Sequence, residues 1–200
     1  CGTGQHSIDT ASEFKNSKVL AIDLSLSSLA YAKRKTEELG ITNIEYMQAD
    51  ILKLTKLDRQ FDIIESAGVL HHMDNPMAGW KVLVDCLRNG GLMKIGLYSE
   101  IARQKHATIR AEIYKTGIKH TEKEMRSFRK DVISSKKQHH KEIKLRQDFY
   151  SISTLRDLLF NVQEHRFTIS QLKRCLEELG LKFCGFENNS IVQKFNVSNT

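Results

Sequence analysis

Short apolar runs at 18–22, 44–48, 61–66 and 92–98 alternate with amphipathic segments of helical period, and that alternation leaves few folds open to the chain. Strands separated by helices cannot pair as hairpins. They lie parallel with helices over both faces, so the chain reads as an α/β protein built on a doubly wound sheet. Two hundred residues at 40% hydrophobic and 28% charged suffice for one such domain with a full core.

In a sheet of this kind ligands lie beyond the carboxyl ends of the strands, so the residues just past each apolar run are the candidates for a site. The chain opens on Cys1-Gly2-Thr3-Gly4-Gln5. Two glycines one residue apart permit a sharp turn against a ligand, and the helix they open presents free N–H groups to it. Such a loop normally leaves a buried strand, yet none precedes it and there is no initiator Met. We therefore expect a piece of a longer protein, without the first strand of its sheet. Untethered at one end, residues 1–5 should be disordered.

Gln5 to Phe14 reads as a short helix burying Ile8 and Ala11, and Lys18 to Ile22 as a buried strand ended by Asp23. Asp23 lies 19 residues after Gly4, near the spacing at which an acid reaches the ribose hydroxyls of a nucleotide. Ser25 is placed to cap a helix to Leu39, with an apolar stripe of Leu29, Ala32, Thr36 and Leu39 and a stop at Gly40. Ile44 to Gln48 forms the next strand, with Ala49, Asp50 and Ile51 at its carboxyl end. Phe61 to Ser66 reads as another buried strand, running into Ala67-Gly68-Val69-Leu70-His71-His72. Asn75 caps a helix that Pro76 begins and that extends to about Leu87, and Leu92 to Tyr98 forms a further strand.

From Glu100 to Leu145 the chain turns polar and Lys-rich, with apolar anchors at Ile101, Ile109, Ile113, Met125 and Phe128. By count these are too few for a separate core, so residues 100–167 are expected to be a helical lid inserted in one domain spanning 1–200. A helix follows from Thr168 or Ser170 to Leu179, and Leu181 to Phe186 reads as a final strand. Beyond it only Ile191, Val192, Phe195 and Val197 offer apolar positions, so the last strand of the sheet is expected to be missing as well.

Composition excludes several classes. No apolar run spans a bilayer, and Cys1, Cys86, Cys175 and Cys184 show no CxxC spacing, which points to reduced thiols in a cytoplasm and to no metal site. Residues 101–146 carry 14 Lys and Arg against 5 Asp and Glu, more than the whole net charge of +7. Such a block admits an anionic partner, nucleic acid included, but Lys-rich helices interspersed with Glu are ordinarily just solvated.

With these residues in place, the chain resembles a class I S-adenosylmethionine-dependent methyltransferase. CGTGQ is similar to the first motif of that family, Asp23 after VLAI to its ribose acid, ADI at 49–51 to its adenine-flanking motif, and FDIIESAGVLHHMDNP to its fourth. LYSEIARQ and RDLLFNVQEHRFT are similar to bacterial methyltransferase domains joined to tetratricopeptide repeats, which implies such a region elsewhere in the full-length chain. The resemblance implies a Rossmann-like sheet and S-adenosyl-L-methionine as cofactor. Cys1, Gly2, Thr3 and Gly4 would then cradle its amino-acid end, and Asp23 with Leu24 would hold the ribose. Ala49, Asp50 and Ile51 would flank the adenine, and Ser66 with Ala67 would close the floor under the methyl group.

The fourth motif here, Ser66-Ala67-Gly68-Val69, departs from the Asn/Asp-Pro-Pro-aromatic pattern of nucleic-acid and glutamine amino-methyltransferases. This favours a small-molecule or protein acceptor, with oxygen slightly ahead of nitrogen. Leu70-His71 resembles the base of plant-type O-methyltransferases, whereas quinone-type enzymes would match His72; both stay open as catalytic candidates. Two other readings stand beside this one. A nicotinamide-dependent oxidoreductase would use the same glycine turn and acid, although Ser7 occupies the position where its fingerprint needs Gly or Ala. A non-catalytic module would keep the cofactor fold without the chemistry.

Overall fold

The computed structural model describes residues 1–161 and 163–187. The chain divides into two compact units, Cys1–Ile64 with Ala78–Met93 and Glu65–Met77 with Lys94–Thr200. Among the described residues there are four strands, β1 (Val19–Asp23), β2 (Ile44–Gln48), β3 (Phe61–Ala67) and β4 (Leu87–Gly96), paired as β1–β2 and β3–β4. Among the described residues no helix is long and apolar enough to cross a membrane, and all four cysteines are free.

In the first unit β1 and β2 run parallel, from Val19 opposite Ile44 to Asp23 opposite Gln48. Helices α1 (Gln5–Glu13) and α2 (Leu26–Glu38) cover this pair, α1 burying Ile8 and Ala11 and α2 burying Leu29, Ala32 and Thr36. Ser25 caps α2 by accepting from the Ser28 N–H. Leu39 stays 63% exposed, because α2 ends one residue earlier and Gly40, at φ +66°, turns the chain away. Thr36 shares a 2.7 Å hydrogen bond with the Tyr46 hydroxyl, and the Asn43 amide donates to the carbonyls of Ala11, Phe14 and Ser17. Helix α1 is thereby tied to the sheet by side chains as well as by packing.

The opening loop is ordered, contrary to expectation. Gly2 N–H donates to Asp23 Oδ2 at 2.7 Å, the Cys1 nitrogen donates to Ile22 O at 2.7 Å, and Gly4 N–H returns to Cys1 O at 3.1 Å. Backbone donors met by a strand-end carboxylate supply a tether that no apolar run in the sequence announces.

β3 and β4 also run in the same direction, since Phe61 N–H donates to Cys86 O at one end and Gly68 N–H to Gly96 O at the other. β4 starts at Leu87 because α3 (Pro76–Asp85) stops two residues before the expected end. β3 is not the buried strand that its apolar run suggests. Ile63 is 67% exposed and Ser66 is its one buried residue, because among the described residues β3 pairs with β4 alone.

The second unit is helical: α4 (Glu100–Thr116), α5 (Glu122–Ser134), α6 (Gln138–Ile143), α7 (Ile152–Leu155) running into a π turn at Arg156–Phe160, and α8 (Ile169–Glu178). Caps from Ser99, Thr121 and Thr168 begin three of them, Thr168 forming a full capping box with Gln171. These helices do have a core of their own. Ile109, Ile113, Met125, Phe128, Val132, Ile143, Phe149, Leu155, Leu158, Leu159 and Phe160 pack as one cluster. The anchors apparent from residues 100–145 alone are joined by Phe149 and the run Leu155–Phe160, which doubles the apolar supply. Ile101 is not an anchor; it is 77% exposed. Leu181–Phe186 is irregular rather than a strand, and Ile191, Val192, Phe195 and Val197 lie outside the described residues.

Candidate active site

Asp23 organises the candidate residues of the first unit. Its Oδ2 accepts from Gly2 N–H at 2.7 Å and from the Cys1 nitrogen at 3.0 Å, and its Oδ1 accepts from Ser25 N–H at 2.8 Å. Burial alone would raise its pKa, but the N–H donors of Ser25 and Gly2 outweigh that and hold it below the usual carboxylate range. A carboxylate offers about four acceptor positions. The backbone N–H groups of Gly2 and Ser25 take one position on each oxygen, which leaves acceptor capacity for further donors.

Beside Asp23 opens a cleft of about 470 Å³ lined by Leu24, Met47, Gln48, Ala49, Asp50, Lys53, Lys56 and Leu57. Its size is that of a small-molecule site. Leu24, Ala49 and Asp50 come together there as expected, because β1 and β2 end side by side in register. Asp50 spends one oxygen capping the following 3₁₀ turn, accepting from Leu52 N–H at 3.0 Å. Ile51 begins that turn and does not line the cleft. Met47, Gln48, Lys53, Lys56 and Leu57 were not foreseen, and the one available signal was the alternation of β2, which puts Met47 two residues from Ala49. Leu24, Met47, Ala49 and Leu57 give the cleft apolar surface suited to a purine ring, Asp50 among the polar residues Gln48, Lys53 and Lys56 is an acceptor for its exocyclic amine, and Asp23 next to Leu24 suits a ribose.

The second unit holds the remaining candidates. Ser66 is buried with its hydroxyl unpartnered, and Ala67 packs on Gly96, where a Cβ would come within 3.0 Å. The two histidines differ sharply. His72 Nδ1 faces the Gln163 carbonyl at 2.9 Å, so it carries the proton, and Nε2 is left to accept from the Asn161 amide at 3.2 Å. Both ring nitrogens are committed. His71 is 1% exposed, and neither of its ring nitrogens makes a hydrogen bond of ordinary geometry. Its ring stacks on Tyr98 at 3.8 Å, and Arg103 lies over the Tyr98 ring at 4.1 Å.

Sequence reasoning missed the scaffold behind these residues. The segment 163–167 threads between two loops, with His165 N–H donating to His71 O at 2.7 Å and Phe167 N–H to Tyr98 O at 2.8 Å. Glu164 in its middle is buried between Arg103 and Arg110: Arg103 Nε meets Oε1 at 3.0 Å, Arg110 Nη1 meets Oε2 at 3.0 Å, and Arg103 Nη2 also reaches Oε2. Arg103 donates further to Leu158 O and Arg110 to Asn161 O.

Burial, helped by neighbouring positive groups, lowers His71 to about 4, and it lowers His106 to about 4 as well. Unperturbed histidine titrates near 6.5. Between those values the unfolded chain takes up protons that the folded chain refuses, so this contribution to stability is full above about pH 6.5 and is lost as pH falls toward 4. Proton NMR of the imidazoles should show these two remaining neutral to about pH 4; ordinary titration of all eight histidines would contradict it.

A sequence family described as a methyltransferase domain matches residues 1–91. Protein syc1184_c of Synechococcus sp. is 26% identical over 204 residues, covering 94% of this chain and 47% of that protein. The (S)-coclaurine N-methyltransferase of Papaver somniferum is 27% identical over 93 residues, covering 46% of this chain and 26% of that enzyme. Among solved structures, PKMT2 from Rickettsia typhi matches all of this chain and 43% of its own at a TM-score of 0.74 and 20% identity. Its complex with AdoHcy matches at 0.70 and 18%. The chain spans less than half the length of these relatives, and at such identities the structural likeness speaks for the fold.

Proposed function

We propose that this chain, whose residues 1–91 match a family described as a methyltransferase domain and whose fold is of the class I type, takes part in S-adenosylmethionine-dependent methyl transfer to a small-molecule or protein acceptor. The observation that carries the reading is the cleft of Leu24, Met47, Ala49 and Asp50 beside an Asp23 that already holds the glycine loop. When bound, the cofactor supplies an electrophilic methyl group on a sulfonium. The chain's residues supply placement and a proton acceptor. Asp23 would hold the ribose hydroxyls, the apolar residues of the cleft would flank the adenine, and Asp50 would take its amino group. The loop Cys1–Gly4 shapes the amino-acid end, and Ser66 and Ala67 serve the methyl side. A cytoplasmic location belongs to the same reading.

His71 is the base in this account, since His72 has no free nitrogen. A neutral imidazole titrating at about 4 is a weak base. It suffices for a hydroxyl, because an oxygen becomes strongly acidic as it gains a methyl group, whereas a methylated amine would keep its proton against so weak a base. Oxygen is therefore the favoured acceptor atom. A nitrogen acceptor is the second reading, supported by the likeness to a plant N-methyltransferase. Segment 100–167 serves acceptor recognition.

Methyl-labelled cofactor offered with hydroxyl and amine acceptors, with products identified by mass spectrometry, tests both readings. His71→Gln should lower kcat at least ~10-fold for a hydroxyl acceptor with KM for the cofactor unchanged. Unchanged kcat would remove the base role, and transfer to amines alone would establish the second reading.

A further inference from the structure

Away from these residues, α4 and α6 bring together a group that the proposed reaction does not use. Glu112 Oε2 lies 3.1 Å from His139 Nε2 and 3.0 Å from His140 Nε2, and all three ligand atoms lie within 4.8 Å of one another. We propose that Glu112, His139 and His140 form a binding site for a zinc-like divalent cation that staples α4 to α6.

The geometry is close to what such an ion needs. A tetrahedral ion with bonds of about 2.0–2.1 Å keeps its ligand atoms about 3.3 Å apart. The observed nitrogen–oxygen separations of 3.0 and 3.1 Å would open by a few tenths of an ångström, while the two imidazole nitrogens, which lie within 4.8 Å of each other, would draw together by rotation of the partly exposed His139. Lys137 Nζ occupies Oε1 of the same carboxylate at 2.7 Å, so Oε2 alone faces the imidazoles. Nε2 is likewise the ring nitrogen that His140 can offer, since its Nδ1 is buried with no hydrogen-bond partner. Two imidazoles and one carboxylate select a borderline metal such as zinc over magnesium or calcium, which prefer oxygen alone. His139 and Glu112 remain partly exposed, at 29% and 25%, which leaves the fourth position to water.

Untagged full chain titrated with Co²⁺ is expected to take up about one ion with the visible absorption of a four-coordinate site, which Zn²⁺ then displaces while raising the melting temperature. His139→Ala and Glu112→Gln should each weaken binding by at least ~100-fold, at the top of what losing even a supporting hydrogen bond costs. His139 is chosen because its partial exposure lets it be truncated without opening the core. Absence of four-coordinate absorption would overturn the proposal and leave two imidazole–carboxylate hydrogen bonds in its place. Binding of equal strength in both folded variants would overturn it too, by assigning the metal to other groups.

Discussion

Replacing Glu164 by Ala should lower the unfolding free energy by about 3–5 kcal/mol, the usual cost of removing one partner of a buried ion pair. The carboxylate is 6% exposed and is shared by Arg103, itself 5% exposed, and Arg110. Its loss leaves two guanidinium groups facing each other with their desolvation uncompensated. The same residue sits between His165, which fixes the His71 loop, and the Arg103 that covers Tyr98. Burial would raise the Glu164 pKa, yet the hydrogen bond from Arg103 and both positive charges hold it below the ordinary value. Its contribution is therefore complete above the unfolded pKa and is lost as pH falls through the lower folded one. Urea unfolding followed by circular dichroism measures the effect, and a loss under about 1 kcal/mol would show that the Arg pair is satisfied without the carboxylate.

Gly4→Ala should cost about 2–5 kcal/mol, combining a left-handed backbone penalty of about 1–2 with an overpacking penalty of about 1–3. Gly4 has φ +89°, and a Cβ there would lie 2.6 Å from Ala32 Cβ and 3.2 Å from Ile8 Cδ1. Neither neighbour is the loose end of a long side chain. The glycine is needed because α1 starts hard against α2. Gly2, whose Cβ would meet nothing within 4 Å at φ +55°, should tolerate Ala with only the backbone penalty. Equal unfolding midpoints for the Gly4 and Gly2 variants would contradict this account of the loop.

The first unit was legible because its signals are local. Ser25 and Gly40 bracket α2 in the sequence as they do in space, the apolar runs at 18–22 and 44–48 match the paired strands Val19–Asp23 and Ile44–Gln48, and a strand-end position is enough to put Asp23, Ala49 and Asp50 beside one cleft. The second unit was hard to read because its organising contacts are distant. Glu164 meets partners 61 and 54 residues away, and His72 is held by Gln163 from 91 residues away. Nothing in the local pattern around His71-His72 says which ring is tied and which is free; that depends on a segment whose polar run Gln163-Glu164-His165 reads as ordinary loop. The same limit explains the strand assigned to Leu181–Phe186: apolar composition over six residues does not supply a partner, and without one the backbone has no ladder to join.

If the cleft beside Asp23 is built for the adenosyl part of S-adenosylmethionine, the chain should bind the demethylated cofactor and discriminate against a dinucleotide. Calorimetric titration of the full chain with S-adenosylhomocysteine and, separately, with NAD tests this most directly, with Asp23→Ala as the control. The expected result is saturable one-to-one binding of S-adenosylhomocysteine, weakened by about 10–100-fold in Asp23→Ala through a lost charge-assisted hydrogen bond of about 1.5–3 kcal/mol, and weaker or no binding of NAD. Tighter binding of NAD, or S-adenosylhomocysteine affinity that survives the loss of Asp23 intact, would contradict it.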